Sequence, residues 1–553
     1  MFSATDVANF LACQHTATLD RAESRKEIKK PFFDDPSIEL LQKLGLEHEK
    51  QYLHHLADVE GLGVTKIDVG MSWQEAASET IRALHSGAPA VYQATLLDGP
   101  WRGRADFLIR VDRPSALGLW SYEVVDTKLA RSTKAGAVIQ LCFYSDLLSR
   151  IQEFEPERMY VVLGGGVTAE EFVVQRYIAY YRRIKREYET AWKAERDTYP
   201  EPTEHCEVCS WYPLCDKRRR DDDHLSLVAG ISRNQRKALR ERSVSTMAGL
   251  AALALPVRPK IDRIGEAALL RIREQARLQM MGREQGKTCY EMLEPMEIDK
   301  GLATLPAPSA GDLFLDLESN PYVLDQGLEY LIGFLALEVS AEPRYESLWA
   351  FNRTEEKKTF EDFIDVVMDR WQRDPAMHVY HYAPYEPTAI KRLAGRHGTC
   401  VDDVDELLRA GMFVDLYRVV RQSLRASVES YSIKSLEPLY GFSRAVPLRE
   451  ANVALNTFEA ALALGGQCDI ESLLKTIEGY NRDDCVSTFR LRDWLEMLRT
   501  EHEARTGQAI PRPEMRSGKP GLDLAAQLDE VSDVKDRLIS DLPDDETEWT
   551  EEQ

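Results

Sequence analysis

Leu313-Phe314-Leu315-Asp316-Leu317-Glu318 is an apolar run that carries two carboxylates at alternate positions. Side chains i and i+2 of a strand share a face, so the run predicts a strand with Asp316 and Glu318 pointing the same way. Two like charges in such a run are costly to bury unless a cation joins them. An exposed strand end is the plainer reading, and Leu313, Phe314, Leu315 and Leu317 argue against it. Further on, Gly479-Tyr480-Asn481-Arg482-Asp483-Asp484 sets a phenol and a carboxylate, Tyr480 and Asp484, one helical turn apart, with Asp483 as the alternative acid. Two carboxylates on a strand and one on a helix can hold two divalent ions for in-line phosphoryl transfer, with Tyr480 positioning the attacking water.

The pattern resembles the DnaQ-like DEDD exonucleases, a family of ribonuclease H-like fold. Between its two ends, His381-Tyr382-Ala383-Pro384-Tyr385-Glu386 sits where that family's middle acidic motif belongs. The family carries Asp there and this chain carries Glu386, whose longer arm alters the metal spacing. Asp415 in Phe413-Val414-Asp415-Leu416 and the stretch Tyr431-Ser432-Ile433-Lys434-Ser435-Leu436 also resemble segments of the fold. The resemblance implies Mg²⁺ or Mn²⁺ on Asp316, Glu318 and Asp484, and a catalytic set completed by Glu386 and Tyr480.

A second constellation lies nearer the N-terminus. Arg104 to Val111 and Tyr122 to Lys128 read as the strands of a hairpin, joined by a Pro- and Gly-containing stretch. Asp126 and Lys128 share a face, and a hairpin that brings Asp106 beside them would gather two carboxylates and an ammonium. An ordinary surface pair is the bland reading of Asp126-Thr127-Lys128. Upstream, His48 lies on a helix expected over Pro36 to Ala57, and downstream Gln140 and Tyr144 stand one turn apart on a helix expected over Ala137 to Leu148. In this order the residues resemble the RecB-like branch of the PD-(D/E)XK nucleases. The resemblance implies His48, Asp106 and Asp126 as metal ligands, Lys128 as the catalytic lysine, and Gln140 and Tyr144 as the branch's helix motif. Glu47 and Glu49 flank His48, and either is an alternative ligand. Gly164-Gly165-Gly166 lacks the Gly-Lys-Ser/Thr ending of a phosphate loop and reads as a tight turn.

Of nine cysteines, Cys142, Cys289, Cys400, Cys468 and Cys485 stand alone and read as buried small residues or plain thiols. Cys206-x-x-Cys209 followed by Cys215 gathers three thiolates in a short stretch, a plausible chelate for Zn²⁺ or an Fe–S cluster that spacing alone does not separate. Cys13 lies far upstream. One cysteine before the core and three after it resemble the RecB-like nucleases with a four-cysteine [4Fe–4S] cluster, among them AddB and the CRISPR-associated exonucleases. There the cluster staples the two ends of the domain and takes no part in hydrolysis.

Length and composition frame these readings. A chain of 553 residues, 44% hydrophobic and 29% charged, fits several globular domains and excludes a wholly disordered polymer. No apolar run approaches a membrane span and no secretory leader opens the chain, so a soluble, cytoplasmic protein is expected. The net charge of -22 is uneven: 12 acids against 2 bases from Asp523 to the end, and 17 bases against 8 acids from Lys217 to Lys287. A global acidic balance therefore does not exclude a nucleic acid partner. The basic, aromatic helix expected over Tyr177 to Lys193 would track a phosphate backbone.

The fold class expected is α/β: a restriction-endonuclease-like RecB domain with its cluster over 1–222, a small helical module, loosely helix-hairpin-helix-like, over 223–305, a ribonuclease H-like domain over 306–500, and an acidic tail over 501–553. The two resemblances together look like bacterial RecB-family nucleases, some of which continue into a helicase. They imply a metal-dependent nuclease acting on DNA, more often exonucleolytic than sequence-specific, in repair, recombination or defence. An RNA substrate, or a nucleic-acid-binding module without turnover, are the alternatives, and the Glu386 departure supports the second.

Overall fold

The computed structural model describes every residue except 32–35, 131, 165, 195–196, 295–296, 322, 325–326, 339–340, 465–469 and 541–553, so Gly165, Cys468 and the end of the acidic tail lie outside the described residues. The chain divides into two units, one of residues 1–287, 320–328 and 447–477 and one of residues 288–319, 329–446 and 478–553. No helix among the described residues is long and apolar enough to cross a membrane.

The first unit is built on a six-stranded sheet whose spatial order follows the sequence: β1 (Val64–Lys66), β2 (Ala90–Asp98), β3 (Trp101–Val111), β4 (Ser121–Lys128), β5 (Arg158–Leu163) and β6 (Ala169–Val173). β1 and β4 run parallel to β2 and β5, and the other pairs are antiparallel. Parallel neighbours need a crossover, and the helices Trp73–His85 and Ala135–Gln152 supply the two. Ser72 and Glu75 close a capping box at the start of the former. Leu108, Val124, Phe143, Leu147 and Tyr181 lie in the core between the sheet and its helices. Gly103 on β3 has no side chain to spare: a β-carbon there would stand 2.7 Å from the Tyr144 ring, so glycine lets that helix lie on the strand. Gly164 ends β5 against the Leu129 carbonyl, 2.3 Å from where a β-carbon would sit, which explains the glycine without any phosphate.

Residues 225–285 of this unit are helical, with helices Arg233–Arg240, Met247–Ala251 and Glu266–Gln285 around Leu225, Leu239, Leu250, Ile272 and Ala276. Gly230, at φ +75°, makes the turn into the first of them.

The second unit holds a two-stranded ribbon, β7 (Tyr290–Met292) with β13 (Leu424–Ala426), and a five-stranded sheet. Its strands are β8 (Leu313–Asn320), β9 (Leu328–Glu338), β10 (Ala341–Trp349), β11 (Val379–His381) and β12 (Phe413–Asp415), in the order β10-β9-β8-β11-β12. β10 pairs antiparallel with β9, whereas β11 runs parallel to both β8 and β12. Helix Arg353–Arg373, capped by Asn352, leads into β11, and helices Tyr385–His397 and Val401–Ala410 lead from β11 to β12. Leu315, Phe334, Phe363, Val379 and Leu393 are among the buried side chains of its core. The central strand β8 is therefore apolar on both faces over Leu313–Leu315, and Asp316 and Glu318 emerge in the half that follows.

Candidate functional site

In that half of β8, Asp316 and Glu318 meet Asp484 from the helix Ile470–Thr506. One oxygen from each lies within 4.8 Å of the others, and among the described residues this is the one set of three or more possible metal donors so close together. Burial, and then the charges of Asp484, Glu318 and Glu386, push the Asp316 carboxyl well above the ordinary carboxylate range. Three hard oxygen donors this close fit Mg²⁺ or Mn²⁺, whose charge would let Asp316 ionise beside its neighbours. Tyr480 stands one turn before Asp484, and its phenol oxygen accepts a hydrogen bond from Lys434. Asp483 faces away from this set and accepts from the Val446 backbone N–H at 2.9 Å. The choice between the two aspartates thus falls to Asp484 on geometry.

Glu386 is near enough to raise Asp316 and stands outside the close set. Its carboxylate lies 3.3 Å from His381 Nδ1. The turn between them is tight: Ala383 has φ +76°, its carbonyl lies 2.7 Å from His381 Nδ1 and its N–H donates to Asp415 Oδ1. Asp415 also caps the helix Leu416–Ser423, which gives that residue a structural role beside the site. An open pocket of about 430 Å³ runs from the carboxylates past Lys434 to the rings of Tyr382, Tyr417 and Tyr431.

Residues 313–496 match the RNase_H superfamily. No curated protein matches the chain. The matched span begins at β8 and ends in the helix that carries Asp484, so it contains the whole acidic set. This region is a ribonuclease H-like domain, and that superfamily's chemistry is of nuclease type and uses divalent metal ions.

Sequence reasoning left three contributors to this site without a role. Arg444 donates to Asp484, Asn481 to Asp316 and Lys434 to Tyr480. The one signal available was a buried-type polar residue, Asn481, between Tyr480 and Asp484.

In the first unit, Asp106, Asp126 and Lys128 come together. β3 and β4 pair at Phe107 and Val125, one step from Asp106 and Asp126. Asp106 Oδ2 accepts from both the N–H and the hydroxyl of Thr127 at 2.8 Å. Asp126 is buried and ion-paired with Lys128. Burial, and then Asp106, push the Asp126 carboxyl up. Burial alone would lower Lys128, but Asp126 and Asp106 raise it, so the ammonium stays charged. The Tyr144 phenol is raised by burial and then by the same two aspartates, which sets it beside them. Gln140 is half-buried one turn before it.

His48 and Glu49 are both buried on the helix Pro36–His54, and Glu47 is exposed. The His48 Nε2–H donates to the Val162 carbonyl on β5 at 3.2 Å. Glu49 accepts from Gln93, and its carboxyl is raised by burial and then by Asp106. Glu49 is thus the flanking acid that shares the electrostatic field of Asp106 and Lys128.

Cys13, Cys206, Cys209 and Cys215 line one small cavity, beside Trp211 and Arg219. All four are free thiols, and burial is the leading cause raising Cys13, Cys209 and Cys215. No three of their sulfurs lie within 4.8 Å of one another.

Proposed function

We propose that the protein is a divalent-metal-dependent nuclease that hydrolyses DNA phosphodiester bonds, working exonucleolytically on single strands or ends. The observation that carries the reading is the convergence of Asp316, Glu318 and Asp484 at the mouth of a tyrosine-lined pocket. Mg²⁺ or Mn²⁺ held by these carboxylates would neutralise charge on the phosphoryl oxygens and lower the pKa of a bound water. The side chains supply the rest. Lys434 donates into the Tyr480 oxygen, which leaves the phenol's own proton to orient an attacking water. Tyr382 and Tyr417 pack edge to face at 5.7 Å, and a base stacked on such rings gains about 1–3 kcal/mol without sequence preference. A pocket of this size suits one nucleotide of a strand end.

The first unit supports a second, RecB-like centre in the same reading. Asp106 and Asp126, with His48 or Glu49, would hold its metal, and Lys128 would neutralise charge developing on the phosphate. The four cysteines, which line one cavity, would hold an Fe–S cluster, with Zn²⁺ as the alternative.

One observation favours binding without turnover. Glu386 turns to His381 and leaves the acidic set with three close carboxylates.

End-labelled single-stranded DNA and RNA, incubated with Mg²⁺ or Mn²⁺, test the reading on parent, Lys128→Ala, Asp316→Asn and the double variant. Cutting of DNA that EDTA stops and one single variant abolishes supports it and assigns the working centre. Preference for the 2′-hydroxyl polymer would make the enzyme RNA-directed. No cutting by folded, cluster-loaded parent would leave the binding reading.

A further inference from the structure

Asn481 is fully buried on the helix between Tyr480 and Asp484. Its Nδ2 donates to Asp316 Oδ2 at 2.8 Å and to the Asp316 backbone carbonyl at 3.2 Å. Its Oδ1 accepts from the Tyr345 hydroxyl at 2.8 Å. Tyr345 comes from β10, whose register pairs it with Leu335 on β9. Two residues along β9, Gly333 leaves room for the amide: a β-carbon there would stand 1.6 Å from Asn481 Oδ1. Sheet and helix are thus shaped around one amide group.

The direction of that amide is fixed by what surrounds it. A flipped Asn481 would turn Oδ1 onto the Asp316 carboxylate, acceptor against acceptor, and bring Nδ2 to the Tyr345 hydroxyl. The two acceptor oxygens of Asp316 therefore select the orientation in which both amide protons serve them, and the Tyr345 proton satisfies the Oδ1 left on the other side. With Oδ2 held, the side chain of Asp316 cannot rotate freely, and Oδ1 takes no hydrogen bond from Asn481.

We infer that Asn481, anchored by Tyr345, is the positioning residue of the acidic centre, holding one oxygen of Asp316 so that the other is presented to a divalent cation. The inference rests on the reading of Asp316, Glu318 and Asp484 as a metal centre. Hydrogen-bond partners of metal ligands are worth about 10–100-fold in metal affinity.

The test uses full-length protein carrying Asp106→Asn and Asp126→Asn, so that the first unit's carboxylates do not contribute. Mn²⁺ binding is measured by the electron paramagnetic resonance signal of free Mn²⁺, and the Mn²⁺ concentration for half-maximal cutting is measured beside it. Asn481→Ala and Tyr345→Phe are each expected to weaken Mn²⁺ binding about tenfold, with turnover recovering at saturating Mn²⁺. Tyr345→Phe keeps the ring and removes only the hydroxyl that anchors the amide, so it remains informative if Asn481→Ala does not fold. Mn²⁺ affinity within twofold of the parent in folded Tyr345→Phe, with a lowered melting temperature alone, overturns the inference. Asp316→Asn separates the two levels. If it abolishes Mn²⁺ binding while Tyr345→Phe leaves it intact, only the positioning role falls. If Asp316→Asn changes nothing, the metal centre falls and the positioning role with it.

Discussion

Arg444 donates to Asp484 Oδ1 at 2.7 Å, and the same nitrogen lies 2.6 Å from Glu437 Oε1. All three side chains are largely buried, and Ser487 donates to Glu437 as well. The guanidinium thus joins an acid of the candidate centre to an acid of the neighbouring turn. Arg444→Met is expected to cost roughly 3–5 kcal/mol, because two buried carboxylates lose their shared cation. Adding Glu437→Gln should return much of that loss, since one of the two orphaned charges is gone. Urea unfolding of the single and double variants measures the coupling, and simple additivity would contradict it.

Asp316→Asn is expected to move activity and stability in opposite directions. Burial and three neighbouring carboxylates disfavour its ionised form, so a neutral amide of the same shape relieves the metal-free protein. Its melting temperature in EDTA should stay level or rise by a few degrees. Metal-dependent cutting should fall at least about 100-fold, because an acid that holds charge at the reacting phosphate is lost. A variant that loses stability and keeps activity would speak against a metal role for this residue.

Several parts of this picture are legible along the chain because they depend on local pattern. The apolar run around Asp316 predicts β8, and the turn-long step from Tyr480 to Asp484 predicts the helix face. Other parts depend on rotation and on distant partners. His48 and Glu49 are adjacent on one helix, and only the packing against β2 and β5 sends one to Val162 and the other to Gln93. The choice of Asp484 over Asp483 follows from the Val446 N–H, 37 residues away. Asn481 acquires its role from Gly333 and Tyr345, which no spacing rule connects to it.

Glu356 predicts an acid limb in stability. It is buried and bonded to the Glu329 N–H, Arg353, Arg396 and His397 at 2.8–2.9 Å. Burial alone would raise its carboxyl, but the Glu329 N–H, Arg353 and Arg396 outweigh it and hold the group below its ordinary 4.5. A depressed folded value means the unfolded chain binds its proton first. The stabilisation is therefore complete above pH 4.5 and is lost as pH falls through the folded value. Glu356→Gln should cost about 3 kcal/mol at neutral pH and flatten the pH dependence of urea unfolding below 4.5. An unchanged acid slope would show that this network does not govern it.

The cysteine pocket yields the last prediction. Cys13 comes from the start of the chain and Cys206, Cys209 and Cys215 from much further along the same unit, so a group bound by all four closes a loop of about 200 residues. Closing a long loop restricts the unfolded chain, and the bound group adds its own affinity to the folded state. Protein purified without oxygen is expected to carry iron and acid-labile sulfide in preference to zinc, if the four thiolates bind the cluster that their order along the chain resembles. Cys209→Ser should lose most of the iron and unfold at lower temperature, while Lys128→Ala keeps the iron. Zinc at one ion per chain, with no sulfide, would instead make the four cysteines a Zn²⁺ site.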